Sequence, residues 1–87
     1  MRKLWSDQAW DDYVYWLEQD KKTIRKINNL LKSIDRNGYK CEGHLEQLTG
    51  DLSSFYSLHI DKENRLIFRI VNEILEIFQC GTHYGDK

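Results

Sequence analysis

Three separated positions in this 87-residue chain carry the groups that cleave RNA without a metal: Glu46 in a loop, Arg65 at the start of a strand, and His83 near the C-terminus. A carboxylate takes the proton from a ribose 2′-OH, and that oxygen attacks the neighbouring phosphorus. A guanidinium neutralises the charge that grows on the phosphoryl oxygens. An imidazolium returns a proton to the departing 5′-oxygen. Any small protein holds a Glu, an Arg and a His, so the types alone are a weak signal. Their surroundings decide.

The elements that must position them are legible as two patterns. Lys3-Leu4-Trp5 reads as a short first strand, and Ser6 as a helix N-cap with Asp7 in the first turn. Trp10, Tyr13, Val14 and Leu17 recur at helical spacing, while Asp11, Asp12 and Glu18 are expected to face elsewhere. Asp20 caps a second helix whose stripe is Ile24, Ile27, Leu31 and Ile34, with Leu30 alongside, and Asn37-Gly38 stops it. With so short a connection the two helices form a hairpin over residues 6–37.

After Gly38 the period changes. A loop follows, with a short strand around Glu46-Leu48; Tyr56, Leu58 and Ile60 then alternate with Ser57 and His59. Arg65–Val71 and Ile74–Cys80 read as two further strands joined at Asn72-Glu73. The expected fold is α+β, a helical hairpin packed on a twisted antiparallel sheet in one domain spanning residues 1–87. Its strands after the hairpin and its C-terminal segment occupy residues 45–84. The sheet face away from the helices, with Arg65 and Arg69, is then the open one.

Composition bounds the function. Two cysteines are too few for a disulfide framework, and neither a signal-peptide core nor a long apolar run is present, which fits a soluble protein of the reducing cytoplasm with no membrane partner. The net charge is −1, yet residues 21–40 hold seven bases against the single acid Asp35. Residues 41–87 reverse the balance, with four bases against eight acids. Lys21, Lys22, Arg25, Lys26, Lys32 and Arg36 form either a solvated helix face or a docking surface for a polyanion.

Trp5-Ser6, Ala9 through Trp16, Lys26-Ile27-Asn28, Ile34-Asp35-Arg36, Gly43-x-x-Glu46-x-Leu48, Leu52-Ser53, Arg65-Leu66-Ile67 and His83-Tyr84 together resemble the YoeB toxins, a branch of the RelE toxin superfamily. The resemblance covers nearly the whole chain. It implies a microbial-ribonuclease-like fold and a toxin that enters the ribosomal A site and cuts mRNA there. It also implies a YefM-like antitoxin that neutralises the toxin and binds operator DNA, so that DNA is a partner only indirectly. Pairing as a homodimer is a further implication. Glu46 matches the family's general base, Arg65 its phosphate-stabilising arginine, His83 its general acid, and Tyr84 the aromatic that helps place acid or substrate. Arg69 and His59 are candidate RNA contacts on the same face, and the six bases of the second helix are the ribosome-docking surface.

The chain departs from the family pattern in places. His44-Leu45 stand where the pattern has Lys-Pro, Leu58-His59 replace an Arg-Arg pair, Asn64 replaces a His, and Gly85-Asp86-Lys87 extend past the usual final Tyr. These changes are expected to remove up to three positive charges from the face that meets RNA. They motivate a second reading, a catalytically weakened module that binds an antitoxin within a DNA-binding repressor complex. Trp10, Tyr13, Tyr15 and Trp16 suit base stacking, but their spacing assigns them to core or interface first. Cys41-x-x-His44 and Cys80-x-x-His83 make a formal zinc set. A buried strand-end thiol and the C-terminal acid explain Cys80 and His83 more simply, so no metal and no cofactor are expected in the reaction.

Overall fold

Helix α2 (Lys21–Asn37) buries every residue of its expected stripe: Ile24, Ile27, Leu30, Leu31 and Ile34. Its N-terminus is fixed by Asp20, whose carboxylate accepts from the backbone N–H groups of Lys22 (3.1 Å) and Thr23 (3.3 Å) and from the Thr23 hydroxyl (2.9 Å). The same residue closes helix α1 (Asp7–Gln19), because its own N–H donates to the Trp16 carbonyl. One extended residue therefore ends one helix and starts the next. At the far end Gly38 takes φ +60°, a conformation that favours glycine and stops α2 as its sequence implies.

The computed structural model describes residues 1–82, in the order β1 (Arg2–Trp5), α1, α2, β2 (Leu45–Gln47), β3 (Tyr56–His59), β4 (Arg65–Val71) and β5 (Ile74–Gly81). The five strands form one sheet in the order β1-β5-β4-β3-β2. The expectation of a wholly antiparallel sheet is corrected at one edge: β1 runs parallel to β5, and the other three pairings are antiparallel. A parallel pair needs a long crossover, and here the helical hairpin with the three intervening strands supplies it. Leu58, Leu66, Phe68, Leu75, Ile77 and Cys80 meet the α2 stripe in the core. No helix among the described residues is long and apolar enough to cross a membrane.

Helix α1 turns a different face inward from the one its aromatic spacing suggests. Ala9 and Asp12 are buried, while Trp10 and Leu17 remain about half exposed at 49% and 48%. The expectation that Asp12 faces away is overturned, and the reason lies at the end of β5. β1 pairs with β5 only as far as Ile77, so the outer edge of β5 beyond that point has no strand to bond. Side chains from α1 and its cap take over. Ser6 donates to the Phe78 carbonyl, Asp12 accepts the Cys80 N–H (2.9 Å), and the Trp16 indole donates to the Cys80 carbonyl (2.9 Å). Gly81 allows this approach, since a Cβ there would lie 3.2 Å from the Asp12 carboxyl carbon.

A β-bulge resets the alternation of β5. Ile67 pairs with Gln79 but Phe68 pairs with Ile77, leaving Phe78 as the extra residue. Cys80 therefore reaches the core, and Gln79 is moved to the opposite face. There it is buried (4% exposed), and its Nε2 has no hydrogen-bond partner among the described residues.

Burial and charge each yield an expected outcome. Asp12→Ala strands the buried Cys80 N–H and should destabilise the fold by about 1–3 kcal/mol in urea unfolding, with Asp12→Asn losing less. Gln79→Met removes a buried donor that has no acceptor and should raise stability by about 1 kcal/mol in the same assay. The carboxyls of Asp20, Asp35 and Asp61 are all held below the usual range. Hydrogen bonds from Thr23 act on Asp20 and the Lys3 ammonium on Asp35. At Asp61 burial pushes upward, but hydrogen bonds from Asn64 and Glu63 outweigh it. Depressed pKa values mean that the unfolded chain binds protons first on acidification. The stability these groups contribute is present above about pH 4 and lost as pH falls through their folded values. The melting temperature should therefore fall as the pH drops below about 4.

Candidate active site

The open sheet face is built by the period of two in each strand. Residues whose neighbours fill the core point the other way, which places Glu46 on β2, Ser57 and His59 on β3, and Arg65, Ile67 and Arg69 on β4 together. Glu46, Ser57, Ile67 and Gln79 form one row across four strands, and His59, Arg65 and Gly81 form a row beside it. Glu46 and Arg65 are thus two strands and two residues apart, roughly 12 Å between Cα atoms from ordinary sheet spacings. Two long side chains reaching inward across that gap leave room for a phosphodiester between them. Gly81, two residues before His83, is the strand partner of Arg65. His83 and Tyr84 themselves lie outside the described residues.

Arg65 is pinned before any substrate arrives. Its Nη1 donates to the carbonyl oxygens of Asp61 (2.8 Å) and Asn64 (3.1 Å). The turn that offers those carbonyls is wound around Asp61, which accepts from the N–H groups of Glu63 (2.8 Å) and Asn64 (2.7 Å). Arg69, the other strand-face arginine, is committed differently. Its Nε donates to Glu76 at 2.6 Å, Nη1 to Ser54 at 3.0 Å, and the guanidinium sits 4.6 Å over the Phe55 ring. An arginine so engaged brings little free charge to a phosphate.

Glu46 is 60% exposed at its side chain and contacts His44, whose Nε2 lies 3.2 Å from its Oε2. The His44 and His59 rings are 5.0 Å apart, edge to face. His59 therefore belongs to the neighbourhood of Glu46 as well as to the Arg65 row. Leu58 behaves otherwise. It is fully buried among core residues, so its departure from the family pattern changes the packing on the helix side and removes no charge from the open sheet face in this chain. That corrects the expected loss of three charges from one face.

Lys21, Lys22, Arg25, Lys26, Lys32 and Arg36 are all exposed along α2, and among the described residues none is ion-paired. Lys26, Lys32 and Arg36 also line a polar cleft of about 350 Å³ with Asn29, Ser33 and Glu42. A second cleft, about 460 Å³, lies between α1 and the turn before β4, lined by Asp11, Asp12, Trp16, Asn64 and Gly81 among others. Among the described residues it contains none of Glu46, His59, Arg65 and Arg69.

Cys80 is buried in the core with its Sγ 3.6 Å from the Ala9 carbonyl, and burial, with the Asp12 carboxylate beside it, pushes the thiol up to about 12. A thiol so held is a packing group. Gln79 and Ser57 were not singled out from sequence, and the bulge that exposes Gln79 to this face has no residue signature that would have revealed it. His44 had a signal that went unused, its i, i+2 spacing from Glu46 on one strand face.

Residues 5–84 match the family model of the YoeB-like toxin of bacterial type II toxin–antitoxin systems. The toxin YoeB of Escherichia coli K12 is 40% identical over 84 residues, covering 97% of this chain and all of that protein. A YoeB/ParE toxin from Agrobacterium tumefaciens superposes with a TM-score of 0.91 at 34% identity, covering 97% of this chain and all of its own. The toxin in a heterotetrameric YoeB–YefM complex from Staphylococcus aureus gives 0.89 at 41% identity, with 97% and 98% coverage. The family match and these full-length likenesses agree: the chain belongs to the YoeB-like toxin family of bacterial type II toxin–antitoxin systems.

Proposed function

We propose that this chain, acting as one toxin domain over residues 1–87, is a ribosome-dependent endoribonuclease that cuts mRNA in the A site. The observation that carries the reading is the shared open face of Glu46 and an Arg65 already anchored by its own turn, with β5 ending beside that arginine. Glu46 accepts the 2′-OH proton as the 2′-oxygen bonds to phosphorus. Arg65 neutralises the phosphoryl oxygens, and His83 protonates the departing 5′-oxygen, with Tyr84 placing acid or substrate. The P–O5′ bond breaks, and the products are a 2′,3′-cyclic phosphate and a 5′-hydroxyl. No metal takes part in these steps. The exposed bases of α2 dock the toxin on ribosomal RNA, and His59 and Arg69 flank the message.

A YefM-like antitoxin is the expected protein partner, by analogy with the S. aureus complex, and operator DNA is reached only through it. One observation favours the weakened-module reading: Glu76 neutralises Arg69, so that Arg65 is left as the strong cation of the described sheet face. In that case antitoxin binding is retained and cutting is lost.

Primer extension on a defined mRNA bound to purified ribosomes separates the two. Wild type should cut within the A-site codon. His83→Ala should lower the rate by at least about 10²-fold, and Glu46→Ala by a similar factor, the ordinary reach of acid–base catalysis. Arg65→Ala should cost about 10²–10³-fold. Arg69→Ala should cost much less, because its charge is already spent on Glu76. Cutting retained by His83→Ala would remove the acid from the scheme, and a folded wild type that does not cut would favour the binding module.

A further inference from the structure

Among the described residues, one group of three metal-ligating side chains lies close enough to share an ion: His44, Glu46 and His59, whose ligand atoms are all within 4.8 Å of one another. We propose that these residues form a transition-metal site, with Zn2+ the ion it fits best, built from two imidazoles and one carboxylate.

The strand geometry produces the cluster. Glu46 pairs with Ser57 and Leu45 with Leu58, so continuing the antiparallel register sets His44 opposite His59. His44 and Glu46 are two residues apart and share a face, and His59 approaches that face from the next strand. Zinc bonds of about 2.0–2.2 Å to nitrogen and oxygen imply ligand–ligand edges of about 3.3 Å in a tetrahedron. The His44 Nε2–Glu46 Oε2 distance is already 3.2 Å. Closing the remaining gaps takes rotation of side chains alone, and those of His44 and Glu46 are more than half exposed.

The ligands are also available. Among the described residues the His59 side chain makes no hydrogen bond, and that of Glu46 bonds only to His44. Arg65, the strand partner of His59, keeps its Nη1 on the Asp61 and Asn64 carbonyls. Two imidazoles and a carboxylate suit zinc and its neighbours in the first row and not Mg2+ or Ca2+, which take oxygen ligands. Three protein ligands leave one tetrahedral position open.

Metal binding would occupy the Glu46 carboxylate, which cannot then accept a proton. Zinc is thus an inhibitor of the cutting reaction, a consequence that rests on the ribonuclease reading, whereas the binding itself does not. The same ions at low abundance would leave the base free.

The test uses the untagged full chain stripped with chelator. Calorimetric titration with Zn2+ should show one saturable site, undisturbed by excess Mg2+, and Co2+ should give visible d–d absorption of low-symmetry four-coordination. His44→Ala and His59→Ala should each weaken binding at least about tenfold. His44→Ala alters an exposed side chain, so circular dichroism should report an unchanged fold. Absence of saturable binding to wild type would overturn the proposal. So would binding that survives the double variant and disappears in Cys41→Ser, which would assign the ion to the Cys-x-x-His pairs. The ribosome assay keeps the two readings apart. Zinc binding without any cutting in either condition would sink the ribonuclease reading and leave the site. Cutting without zinc binding would do the reverse.

Discussion

The peptide at Cys80 is the point on which the rest of the structure turns. Its N–H is held by Asp12 and its carbonyl by Trp16, both from α1, at 2.9 Å each. An unbonded strand edge inside a small protein would leave backbone polar groups buried without partners, a cost of about 1–3 kcal/mol for each. Here a helix supplies what a longer β1 would have supplied. The consequence is directional. Because α1 grips the end of β5, the chain is delivered to the strand position beside Arg65, and the C-terminal segment starts from a fixed place. A core-level hydrogen bond thus sets the origin of the segment that carries the proposed acid.

The division of labour between the two sheet faces follows from burial. Five strands and two helices can cover one face only, and α2 covers it with five aliphatic side chains. Polar groups needed for chemistry are left the other face, but that face is not uniformly wet. Ser57, Ile67 and Gln79 in the row behind Glu46 are all nearly inaccessible. A dry centre flanked by an exposed carboxylate and an anchored guanidinium strengthens electrostatic interactions at the phosphate that would sit between them. The bulge at Phe78 contributes by placing Gln79, and not Cys80, in that centre.

Much of this was legible in sequence because helix and strand periods are strong signals. The α2 stripe, its stop at Gly38, the hairpin turn at Asn72-Glu73 and the shared face of Arg65 and Arg69 follow from periodicity alone. The helix caps followed from Ser6 and Asp20. What failed had a physical reason each time. Asp12 reads as a surface acid because its partner, a backbone N–H on β5, lies far away in sequence. Trp10 and Leu17 read as core because they are large and apolar, yet α1 turns to satisfy Asp12 and Trp16 instead. The parallel pairing of β1 cannot be read from a strand of four residues, since both faces and both directions look alike over so short a run. Within the site, Glu46 and Arg65 were recognised by resemblance, whereas the proximity of His44 and His59 needed the register of β2 on β3.

The two arginines of β4 show why position on a face does not fix a role. Both point outward, four residues apart on one strand, with the same intrinsic charge. Arg69 meets a carboxylate, so the pair is close to neutral and its field at a phosphate largely cancels. The hydrogen bonds of Arg65 go to carbonyl oxygens, which orient a guanidinium without neutralising it. A guanidinium carries five N–H donors, and anchoring through Nη1 leaves those on Nε and Nη2 for the paired contacts that suit a phosphate. Neutral anchors also lower the entropy lost on binding, because the side chain is already ordered. The same reasoning applies to Asp61 in the turn before β4. Its carboxylate accepts from the Asn64 and Glu63 N–H groups, so this acid shapes the loop that holds Arg65. Charge at this face is therefore set by which arginine is allowed to keep it.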